Sequence, residues 1–137
     1  MSKSSLILEK NYKLQQSAET KTKIAELNDK IERATRIKNK LNDLKKEVKE
    51  HRTNSKNIFK EYSYWKGENN SKWEEKSESE LISVSITNCI KNIDDNIDRL
   101  IDKITEMQNE VNSLGSTLSV LENAINSIAA AIEKLTN

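Results

Sequence analysis

Along residues 86 to 135 the apolar positions recur at alternating intervals of four and three: Ile86, Ile90, Ile93, Ile97, Leu100, Ile104, Met107, Val111, Leu114, Leu118, Leu121, Ile125, Ile128, Ile132 and Leu135. A mean interval of 3.5 residues returns each side chain to one stripe of a slightly supercoiled α-helix, the periodicity of a coiled-coil seam. All fifteen seam positions are apolar, so the pattern predicts one long helix with a continuous adhesive edge. Gly115 falls off the seam and the phase passes through it without slipping. A tolerated weak point costing about 1 kcal/mol is expected there, with a kink as the alternative.

The first half carries the same period less densely. Ile24, Leu27, Ile31, Ala34, Leu41, Val48, Phe59 and Tyr62 form one seam, with Ile37, Leu44, His51, Ile58 and Trp65 alongside it. Upstream, Glu9 to Lys23 offers only Tyr12, Leu14 and Ala18 as apolar or amphipathic contacts, which predicts a helical but loosely packed segment. The two patterns are separated by Tyr64-Trp65-Lys66-Gly67-Glu68-Asn69-Asn70-Ser71-Lys72-Trp73-Glu74. Gly67 suits the left-handed conformation that ends a helix, Asn69 and Asn70 suit a turn, and Ser71 with Glu74 reads as a capping box. A short connection makes the helices antiparallel neighbours. The expected fold is therefore all-α, a single helical-hairpin domain over 1–137. Helix one runs from about 4 to 64, the turn from about 65 to 70 and helix two from about 71 to 135. At 1.5 Å per residue each rod would be about 90 to 100 Å long.

Composition sharpens this picture. With no proline and two glycines in 137 residues the chain has few means of breaking a helix. Apolar residues make up 34% and charged residues 33%, a balance that suits narrow seams on solvated rods better than the thick core of a compact enzyme. The net charge of +1 hides a division: residues 1–66 hold 17 Lys and Arg against 9 Asp and Glu, while 67–137 hold 6 against 13. A basic first helix and an acidic second one favour pairing with each other and penalise like-with-like pairing. No apolar run long enough to span a bilayer occurs, and Met1 to Lys10 lacks the features of a signal peptide, so cytoplasmic synthesis without membrane insertion is expected.

Candidate chemistry is sparse. His51 is the only histidine and reads as a structural residue flanking the seam; Cys89, the only cysteine, reads as a small buried hydrophobe. Glu74, Glu75, Glu78 and Glu80 suit the positive end of helix two. Asp94, Asp95, Asp98 and Asp102 lack the glycine spacing of a calcium loop and read as a solvated face. No phosphate loop or nucleophile elbow is present, so no catalytic, cofactor-binding or metal-binding residue is assigned. Lys38, Lys40, Lys45, Lys46, Lys49 and Arg52 form a cationic stretch. An acidic partner helix and the lack of interleaved aromatics argue against nucleic acid.

Trp65-Lys66-Gly67 stands between the two long helices, with Trp73 beyond the turn. In this placement the chain resembles the WXG family of small type VII secretion proteins, and more particularly the small helical partners of LXG-domain toxins of Gram-positive bacteria. The residues also have a local account, since Trp65 and Trp73 can cover the hairpin end while Gly67 permits the reversal. The resemblance implies a non-enzymatic targeting or chaperone-like partner that binds the helical N-terminal LXG region of a toxin, alongside a second small helical protein or as a homodimer, and that can leave the cell with it. The family's export signal, an aromatic residue followed four positions later by an acidic one after the second helix, is missing, because no aromatic follows Trp73. Export would then depend on a signal carried by the partner.

Antiparallel pairing sets residues 6–23 opposite roughly 115–132, and the two sides do not match. Val120, Ala124, Ala129, Ala130 and Ala131 widen the apolar arc beyond what one sparse helix can cover. Leu118, Leu121, Ile125, Ile128 and Ile132 are therefore expected to contact another chain. A self-assembling structural coiled coil without a client is the alternative reading.

Overall fold

The computed structural model describes residues 2–65 and 71–136, with side-chain surroundings for 2–57 and 80–135. Two helices, α1 (Lys3–Trp65) and α2 (Ser71–Thr136), pack against each other as an all-α hairpin. Their contacts divide into two units. One joins Met1–Ala34 to Lys103–Asn137, and the other is Thr35–Asp102.

In the first unit, α1 starts on a capped end. The Ser5 backbone N–H donates to Ser2 Oγ at 3.2 Å and the Leu6 N–H to the Ser2 carbonyl at 3.1 Å, satisfying donors that the first helical turn leaves open. At the far end of α2, Lys134 lies in the last turn, where a cation suits the negative helix terminus. Leu6, Ile104, Met107 and Ile128 are buried between the helices, together with Ser17 and Thr20. In the second unit Ile93 and Ile97 are buried, and Leu41, Val48, Ile86, Ile90 and Leu100 are half-buried. Both α2 stretches belong to the fifteen-residue seam. Leu135, its last member, is exposed.

No described side chain is sealed completely from solvent, because one neighbouring helix covers only one side of another. The hairpin is thus a seam rather than a core. Gly115 lies inside α2, which runs through it unbroken and without a positive φ. A Cβ added there would meet nothing within 4 Å.

One expected set of contacts is corrected. Tyr12, Leu14 and Ala18 point outward, with Tyr12 62% and Leu14 45% exposed, whereas Ser17 and Thr20 are 5% and 9% exposed. The reason lies in the rigidity of helical phase. Packing of Ile24, Leu27, Ile31 and Ala34 sets the rotation of α1, and the same four-three spacing run backward lands on Thr20, Ser17, Lys13, Lys10 and Leu6. A continuous helix cannot re-phase its first turns to turn other residues inward. The stripe alongside the α1 seam is likewise less covered than expected, since Ile37, Leu44 and His51 are all exposed.

Truncating the seam should be costly. Ile97→Ala and Ile104→Ala are each expected to lower the free energy of urea unfolding by about 2 to 3 kcal/mol, against less than about 0.5 kcal/mol for the exposed Val120→Ala. Gly115→Ala should raise it by up to about 1 kcal/mol, since alanine fits the space and restricts the unfolded chain.

Candidate partner interface

Within the first unit, Leu118, Leu121, Ile125 and Ile132 are half-buried and Ile128 is buried. All five lie on the seam that faces α1, so the residues expected to meet another chain already meet this one, in part. Across from them α1 presents Leu6, Lys10, Lys13, Ser17 and Thr20 at successive seam positions, of which one is apolar. The hydroxyl of Thr20 donates to the Gln16 carbonyl at 2.8 Å, so its polar group is satisfied inside its own helix and contributes no link to α2. Beside the seam, Ala124, Ala129 and Ala131 are half-buried, and Ala130 and Val120 face outward, Val120 at 67% exposure.

Electrostatics adds little here. Between residues 111 and 132 Glu122 is the only charged side chain. It pairs with Lys21 at 3.9 Å, with both groups more than half exposed, an arrangement that contributes no more than a few tenths of a kcal/mol. In the second unit the expected attraction between a basic and an acidic helix takes a closer form, Lys45 Nζ to Asp94 Oδ1 at 2.6 Å, both partly shielded. Asp94 thus belongs to the helix contact, while Asp95, Asp98 and Asp102 are exposed. The cationic stretch of α1 is divided by the same geometry. Lys38, Lys45 and Arg52 sit half-buried on the seam, where their stems cover apolar surface, and Lys40, Lys46 and Lys49 face solvent.

Cys89 is exposed, not buried as expected, because it lies one position off the seam on an open flank. His51 is exposed for the same reason. Among the described residues no group of three or more His, Cys, Asp or Glu is arranged to hold a metal ion, and no helix is long and apolar enough to cross a membrane. The side chains of Trp65 and Trp73, and Gly67 altogether, lie outside the described residues, as do the side chains of Ile58, Phe59, Tyr62, Ser71, Glu74, Glu75 and Glu78. Leu6, Ser17 and Thr20 are the contacts that reading the sequence for apolar residues missed. Extending the phase backward from Ile24 would have found all three. Comparison with protein-family models, curated proteins and solved structures finds no match.

A double-mutant cycle on Lys45→Ala and Asp94→Ala, read by thermal or urea unfolding, is expected to show a coupling of about 0.5 to 1 kcal/mol that shrinks as salt is raised from 0.05 to about 0.5 M.

Proposed function

We propose that this chain is a non-catalytic partner protein that binds the helical N-terminal LXG region of a toxin and helps target it to type VII secretion. The observation that carries the reading is the α2 seam from Leu118 to Ile132, apolar at every position and, Ile128 apart, only half-buried against an α1 segment that is mostly polar there. The Trp65-Lys66-Gly67 placement supplies the link to secretion. Lacking an aromatic after Trp73, the chain would rely on its partner for the export signal.

Co-expression with the N-terminal LXG region of a toxin from the same host, followed by affinity capture, tests the reading. Capture in stoichiometric amounts is expected, falling at least tenfold for Ile125→Asp. Val120→Asp, which alters an outward position, should fall less while keeping the wild-type helical circular dichroism. Absence of capture, or a chain that forms only assemblies of itself, would overturn the proposal in favour of a structural coiled coil.

A further inference from the structure

Residues 6–20 of α1 show reversed amphipathicity. Their outward positions hold Ile7, Leu8, Tyr12 and Leu14, all exposed, and their seam positions hold Lys10, Lys13, Ser17 and Thr20. Opposite them lies a seam that is apolar throughout. The helix is held in this register from both ends, by buried Leu6 at its start and by Ile24, Leu27, Ile31 and Ala34 downstream. Between Leu6 and Ile24 no seam position of α1 is apolar. Lysine at a seam position lays its stem along the groove and carries its ammonium out to water, leaving part of the apolar surface wet. Ser17 and Thr20 are buried but bring less apolar area than leucine or isoleucine would, so α2 gains less from this segment than from a helix with Leu or Ile at those positions.

We infer that residues 6–20 are a displaceable cover over the Leu118–Ile132 seam, and that the occupant which replaces them is an amphipathic helix of another chain. Its chemistry follows from the seam. It carries Leu, Ile or Val at four or more successive positions of a four-three pattern. It has few charges beside them, because α2 offers only Glu122 between 111 and 132, and one Lys or Arg placed to take over the pairing that Lys21 now makes with Glu122. A strongly acidic helix is excluded by the sign of that one charge and of α2 as a whole. This inference rests on the proposed partner-binding reading and adds how the site is kept closed until the partner arrives.

The test uses the full chain and a labelled peptide probe, residues 3–31 of this sequence with Lys10→Leu, Lys13→Leu, Ser17→Leu and Thr20→Ile. The probe is expected to bind with saturable anisotropy, and the unsubstituted 3–31 peptide at least tenfold more weakly. Hydrogen exchange of the chain with probe bound should show amides 8–20 of α1 losing protection while amides 118–132 keep theirs. Gain of protection at 8–20 would mean that the probe adds as a third helix, and it overturns the displacement. The same four substitutions placed in the full chain should weaken probe binding at least tenfold. Should that variant misfold, Lys10→Leu with Lys13→Leu, both at half-buried positions, should weaken it threefold or more. Equal binding to the substituted and native chains overturns the inference. Capture of the LXG region separates the two levels. If the substituted chain captures it undiminished, the cover is refuted and the partner role stands; if the probe behaves as expected but no client is captured, the cover stands and the secretion role falls.

Discussion

The structure depends on the apolar seam of α2 and its need for a covering surface. Repetition at 3.5 residues concentrates the attraction along one edge, which α2 offers from Ile86 to Leu135. Everything else in the hairpin is arranged around it. Its partner α1 supplies a matching phase, Lys38, Lys45 and Arg52 extend the cover with their stems, and ion pairs such as Lys45 with Asp94 choose the acidic helix over a second basic one. With a single neighbour no described side chain becomes fully enclosed, so stability is spread along the seam in small increments.

A globular core closes itself, whereas a two-helix seam leaves its flanks in contact with solvent. Along that seam Ile93, Ile97, Ile104, Met107 and Ile128 are buried, and the other members are half-buried apart from exposed Leu135. The polarity of α1 does not by itself set this pattern, since Ile128 is buried in the stretch where α1 turns serine, threonine and lysine toward α2. The exposed positions of Cys89 and His51 leave both side chains outside the helix contact.

The sequence by itself determined the helices, the hairpin and the α2 seam, because these follow from local periodicity: fourteen of the fifteen seam residues are buried or half-buried where spacing placed them. It also determined the sign of the interhelix charge pairing. What only the tertiary structure decided is which residues of the first α1 turns face inward. Local composition pointed to Tyr12, Leu14 and Ala18, yet a stiff helix transmits its rotation over many turns, so distant packing at Ile24 to Ala34 overrode it and turned Ser17 and Thr20 to the seam. The fates of His51, Cys89 and Asp94 were decided in the same way. Each lies within one position of a seam residue, and whether such a position is covered depends on the reach of the opposite side chain, which no pattern within one helix contains.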